Sequence, residues 1–88
     1  MSWTLLVASS VDRYVRSWDD RRTAARIVEK IAGLRVEPFP PGHKKLQGSR
    51  NEYRLRVGDF RVLYSVAAEI ATITVHDVDR RDKVYRRL

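Results

Sequence analysis

The sequence predicts an α+β fold: two N-terminal helices packed on a small, mainly antiparallel sheet, in the order β-α-α-β-β-β with a short C-terminal helix or tail. Three observations predict it. Apolar residues recur at spacings of three and four across residues 20–34. A proline-rich break separates that helical half from three runs rich in β-branched and aromatic residues. The first two of those runs are joined by Gly58-Asp59 alone, the length of a hairpin turn. At 88 residues the chain reads as one domain, 1–88.

Residues 3–9, WTLLVAS, form a short apolar run and read as an edge-to-interior strand. Ser9 or Ser10 then caps a helix through Arg16, because a serine oxygen accepts from a free N–H of the first turn. A second helix starts at Asp19 or Asp20, where a carboxylate suits the positive end of the helix dipole. Its apolar stripe is Ala24, Ile27, Val28, Ile31 and Leu34, and the charged residues between them form a solvated face. Ala32-Gly33 marks its end. Residues 37–51, EPFPPGHKKLQGSRN, read as a loop, since three prolines in four positions exclude both helix interior and central strand. Strands follow at 52–57 and 60–66, then at 70–78 (IATITVHDV) after a turn near Ala68-Glu69. The tail DRRDKVYRRL is polar.

The composition, 43% hydrophobic and 33% charged, is that of a globular chain. Cysteine is absent, which excludes disulfides, thiolate metal sites and a cysteine nucleophile, and suits a reducing cytoplasm. The first ten residues lack a basic leader, and no run of about 18 apolar residues offers a membrane span. The expected location is therefore cytoplasmic, away from membranes. Net charge is +7, and it is uneven. Residues 1–43 hold seven basic and five acidic side chains, a net of +2, while residues 44–88 hold eleven and six, a net of +5. A basic surface of this size attracts polyanions.

With Gly58 and Asp59 as the turn, of type II′ or I′, the hairpin register follows. Val57 pairs with Phe60, Arg56 with Arg61, Leu55 with Val62, Arg54 with Leu63 and Tyr53 with Tyr64. Alternation sends Tyr53, Leu55, Val57, Phe60, Val62 and Tyr64 to one face, an apolar surface for the helices. Glu52, Arg54, Arg56, Arg61, Leu63 and Ser65 take the other. Arg56 and Arg61 then stand opposite, with side-chain bases about 4.5–5.5 Å apart, where like charges repel. Two explanations compete: arginines filling the solvent face of a one-sided sheet, or an anion clamp in which a bound phosphate turns repulsion into attraction. No Asp/Glu/His cluster has metal-ligand spacing, so neither a metal nor another cofactor is expected. His43 in the loop and His76 in a strand read as structural or solvated rather than catalytic.

The stretch KKLQGSRNEYRLRVGDFRVLYSV, followed by VDRRDKVYRRL, resembles the RelE branch of the RelE/ParE superfamily, the toxins of type II toxin–antitoxin modules. The match extends over nearly the whole chain, and its middle motif is long. The resemblance implies a ribosome-dependent endoribonuclease that cuts messenger RNA in the A site without a metal and so inhibits translation. It carries functional basic residues onto Arg54 and Arg56, the arginine opening the second hairpin strand onto Arg61, a late arginine onto Arg81 and a C-terminal tyrosine onto Tyr85. RNA and ribosome contact falls to Lys44, Lys45, Arg50, Arg80 and Lys83. Two departures stand out. The family's Gly-His before the late arginine is Asp79-Arg80 here, and some relatives carry lysines where Arg54 and Arg56 stand.

That second departure bears on mechanism. Arginine stays protonated at any working pH and does not replace a lysine base. Arg54, Arg56 and Arg61 are therefore assigned to phosphate binding and to stabilising charge in the transition state. Tyr85 becomes the base, or the platform that stacks on and orients a nucleobase, against the plainer role of closing a core edge. Arg81 assists the leaving oxygen. A ParE-like toxin that binds DNA gyrase without nuclease activity is the alternative, followed by a basic, non-catalytic nucleic-acid or ribosome-binding module. The implied partners are a cognate antitoxin (RelB-like or another small antitoxin), the ribosome and mRNA.

Overall fold

The computed structural model describes residues 3–80. The apolar run near the start forms β1 (Thr4–Val7) and leads directly into α1 (Ser9–Arg16). No serine caps that helix. Ala8 is its N-cap and no side chain closes the first turn, so Ser9 and Ser10 stand inside the helix rather than ahead of it. The N–H of Ala8 instead donates to the Val75 carbonyl, and this sheet contact sets where the strand stops and the helix begins. α2 (Arg21–Gly33) starts as predicted: the Asp20 carboxylate accepts from the Thr23 N–H at 3.1 Å and from its hydroxyl at 2.6 Å. Ala24, Ile27, Ile31 and Leu34 are buried, whereas Val28, the fifth member of the predicted stripe, is exposed. Its place one residue after Ile27 turns it to the margin of the apolar face.

The proline-rich segment, expected to be loop throughout, holds a strand. β2 (His43–Lys45) pairs antiparallel with β3 (Glu52–Val57) at the edge of the sheet. All three prolines precede it, and pairing begins only where backbone donors resume. β3 and β4 (Phe60–Ala67) form the predicted hairpin in the predicted register, from Val57 against Phe60 to Tyr53 against Tyr64. Gly58 has φ of 60° while Asp59 keeps a negative φ, which selects the type II′ turn. A 3₁₀ turn (Ala68–Ile70) and a left-handed Ala71 lead into β5 (Thr72–Arg80), two residues later at each end than predicted.

The five strands lie in the order β1-β5-β4-β3-β2, all antiparallel except β1 beside β5. Both helices cover one face, and the core lies between: Val11 and Val15 from α1, the α2 stripe, and the inward residues of β3, β4 and β5. Tyr64 anchors the proline-rich segment from below, its hydroxyl donating to the Pro38 carbonyl at 2.7 Å. Trp18, after α1, stacks on Phe60 with ring centres 4.6 Å apart.

β5 departs from strict alternation. Leu63 pairs with Asp77 and Tyr64 with Val75, leaving His76 as the extra residue of a β-bulge. Ile73 and Val75 face the core, and the extra residue makes Val78 the next inward side chain. Asp77 and Asp79 are thereby turned to the face away from the helices. No helix among the described residues is long and apolar enough to cross a membrane.

Candidate nucleic-acid interface

The face opposite the helices is organised in cross-strand rows. One row runs Arg56, Arg61, Asp79 across β3, β4 and β5. The next runs Lys44, Arg54, Leu63, Asp77 across β2 to β5. A third holds Glu52, Ser65 and Thr74. The sequence prediction that Arg54, Arg56 and Arg61 share a face is therefore met, and Lys44 joins them. Arg56 and Lys44 are exposed and Arg54 is half-buried.

Arg61 differs from a solvated surface arginine. It is only 3% exposed, and Leu63 beside it on the same face is buried too. Its Nη1 donates to the Phe60 carbonyl at 3.3 Å, and Asp79, 5% exposed, stands directly across from it on β5. Burial of a guanidinium is tolerated only with hydrogen-bonding or charged neighbours of this kind. The Asp79 Oδ1 accepts from the Arg80 N–H at 2.7 Å and from the Tyr14 hydroxyl at 3.4 Å. Tyr14 reaches it because β1 stops opposite Val75, leaving the last residues of β5 as an open edge beside α1. Partial burial, reinforced by the charge of Asp79, raises the Tyr14 phenol above its ordinary value of 10.0.

The other basic residues expected at the interface are distributed. Lys45 lies across from Tyr53 and Arg80 across from Phe60, both exposed but on the side of the alternation that faces the helices. Arg50 is exposed in the connection before β3, beside an open cavity of about 510 Å³ lined by Lys44, Gln47, Ser49, Glu52 and Arg54. Arg81, Lys83 and Tyr85 lie outside the described residues.

The two histidines are on opposite sides of the sheet. The His43 ring packs against Phe39 at 5.6 Å, with Nδ1 2.7 Å from the Pro40 carbonyl. His76 is exposed on the arginine side, its Nε2 2.9 Å from the Ser65 Oγ. Sequence reasoning missed the placement of Asp77, Asp79 and His76 together. The signal for it was the apolar spacing in ITVHDV: Ile73 to Val75 is two residues, but Val75 to Val78 is three. Among the described residues no group of three or more His, Asp or Glu side chains is arranged to hold a metal ion.

The family model described as the ParE toxin of the type II toxin–antitoxin system, parDE, matches residues 3–85. The chain belongs to the RelE/ParE toxin superfamily. Its similar relatives include RelE proteins. RelE1 of Methanocaldococcus jannaschii is 36% identical over 61 residues, spanning 66% of this chain and 68% of that protein. A chain of the archaeal RelE–RelB complex from Pyrococcus horikoshii OT3 superposes with a TM-score of 0.79 at 28% identity, covering 92% of this chain and 97% of the other. One from the toxin–antitoxin complex RelBE2 of Mycobacterium tuberculosis gives 0.76 at 26% identity, covering 92% and 100%. Two helices on a five-stranded mixed sheet is thus the RelE architecture, and this chain is a RelE-like toxin of a type II toxin–antitoxin system.

Proposed function

We propose that this toxin is a ribosome-dependent endoribonuclease that cleaves mRNA in the ribosomal A site by attack of a ribose 2′-hydroxyl, without a metal, and so inhibits translation. The observation that carries this reading is the cluster of basic residues: exposed Arg56 directly across from the buried Arg61, with Arg54 and Lys44 beside them, on a face that neither helix covers. Opposed guanidinium groups repel, and a phosphate between them reverses the sign of the interaction.

In the reaction the 2′-hydroxyl gives its proton to a base and its oxygen bonds to phosphorus. The P–O5′ bond breaks, and the departing 5′-oxygen takes a proton. The products are a 2′,3′-cyclic phosphate and a 5′-hydroxyl. Arg54 and Arg56 bind the phosphate, and Arg61, buried across from Asp79, helps offset the charge that grows on it. The family motif carries functional positions onto Arg81 and Tyr85, and their chemistry suits Arg81 to the leaving oxygen and Tyr85 to the base or a stacking platform. Lys44, Lys45, Arg50, Arg80 and Lys83 contact RNA or the ribosome. The ribosome aligns the substrate, an effect that in general removes several kcal/mol of barrier. A RelB-like antitoxin, as in the complexes of the relatives, binds the toxin in the cytoplasm and holds it inactive.

Mapping of mRNA 5′ ends in a translating extract is expected to show cuts within the A-site codon, abolished by Arg61→Ala. Equal rates on naked and translating RNA would remove the ribosome from the mechanism. The description carried by the matching family model favours one further reading, a ParE-like toxin acting on gyrase. Growth arrest unchanged in Arg61→Ala and Tyr85→Phe, with inhibited supercoiling and no A-site cuts, would select it.

A further inference from the structure

Cleavage by a 2′-hydroxyl needs a group that accepts its proton, and arginine is unsuited to that task at any working pH. Imidazole is the side chain suited to that exchange near neutrality. The chain has two. His43 is packed among aromatic rings on the helix side, with Nδ1 against the Pro40 carbonyl. His76 differs in every respect that matters. It is exposed, and its bond to Ser65 places it on the arginine face. It is also the extra residue of the bulge between Leu63 and Tyr64, where β5 gives up regular pairing. Bulges re-aim a side chain at the expense of a ladder bond, and they concentrate beside active sites.

We infer that His76 is the catalytic proton acceptor, with Ser65 as the residue that positions its ring; the inference rests on the endoribonuclease reading above. The imidazole takes the 2′-hydroxyl proton as the 2′-O–P bond forms and the P–O5′ bond breaks. The 5′-oxygen takes a proton from water, and His76 later releases its proton to solvent. Asp77, the next residue after His76, stands two strand spacings from Arg54 across the buried Leu63, so His76 lies one residue off that row, about 10 Å from Arg54 between side-chain bases. The charged groups that share this part of the face are Lys44 on β2, Glu52 and Arg54 on β3, Arg61 on β4 and Asp77 on β5. With His76 as base, Tyr85 keeps the stacking role.

The test compares wild type, His76→Ala, His76→Gln and Ser65→Ala on programmed ribosomes under single turnover. The scissile linkage carries either the natural 5′-oxygen or a 5′-sulfur, which leaves without a proton. Both His76 variants are expected to slow the cleavage step about 100-fold or more, with the half-saturating toxin concentration within about twofold of wild type. The deficit should persist with the 5′-sulfur linkage, and added imidazole should restore part of the His76→Ala rate. Ser65→Ala should lose less and add nothing to His76→Ala. A maximal rate within about threefold of wild type, or a defect confined to half-saturation, overturns the inference while leaving the endoribonuclease reading intact. A deficit that vanishes with the 5′-sulfur makes His76 the acid and overturns its role as base. Absence of cuts from wild type removes the reading and the inference together.

Discussion

Replacing Tyr64 with phenylalanine deletes one oxygen and keeps the ring, so it isolates what holds the proline-rich segment in place. Tyr64 is 1% exposed, stacks on Tyr53 at 5.7 Å and donates to the Pro38 carbonyl at 2.7 Å. The variant retains the packing and loses that bond. A neutral hydrogen bond contributes about 1 kcal/mol, and the buried carbonyl left without its donor adds a desolvation cost, so the expected loss is about 1.5–2 kcal/mol. For a chain of this size that corresponds to about 6–16 °C in Tm. Urea unfolding followed by circular dichroism should show a lower midpoint with an unchanged slope. A second signature is alkaline. Burial, then the charges of Tyr53 and Glu37, push the Tyr64 phenol above its ordinary 10.0. The folded state thus holds a proton that the unfolded state releases, and stability falls as pH rises beyond about 10. The phenylalanine variant lacks that fall, so the gap between the two proteins narrows there. A loss below about 0.5 kcal/mol at neutral pH, or a gap that widens in alkali, would refute the account of this contact.

Three further outcomes follow from the packing and the caps. Ile27→Ala empties a fully buried position on α2 and is expected to cost about 2–5 kcal/mol, read as a shift in urea midpoint. Asp20→Ala removes the cap of α2 and lowers Tm at neutral pH. The Thr23 hydroxyl and then its N–H hold the Asp20 carboxyl below its ordinary 3.8, so this stabilisation is present above that value and lost as pH falls through the folded one. Melting curves of the variant and wild type should converge in acid. Gly58→Val places a branched side chain at φ of 60° and should cost about 1–2 kcal/mol. An added Cβ meets only the end of Arg26 at 3.7 Å, so the cost is backbone strain rather than crowding, and amide exchange at the turn will report it.

The hairpin was legible residue by residue because a two-residue turn leaves one register and alternation leaves one assignment of faces. α2 was equally plain, since Asp20, Thr23 and the apolar stripe are local to it. Features set by distant neighbours were harder to read. β2 exists because β3 offers it an edge, and α1 starts where Ala8 bonds to Val75. The bulge left a trace in the three-residue step from Val75 to Val78, but only pairing with β4 gives that step a meaning. The shared face of Arg54, Arg56 and Arg61 followed from period-two alternation. The burial of Arg61 did not, because alternation says which way a side chain points and nothing about what lies over it. Arg81 and Tyr85 enter through the motif, and their roles through the chemistry of arginine and tyrosine.

The first and last described strands lie side by side, Thr4 against Thr72. A chain emerging in order from its ribosome keeps β1 unmatched, and the β5 side of α1 uncovered, until β5 has been made. Pairings between such distant segments form late compared with local ones. Such a partial chain also lacks Asp79, so Arg61 has no carboxylate across from it until β5 arrives.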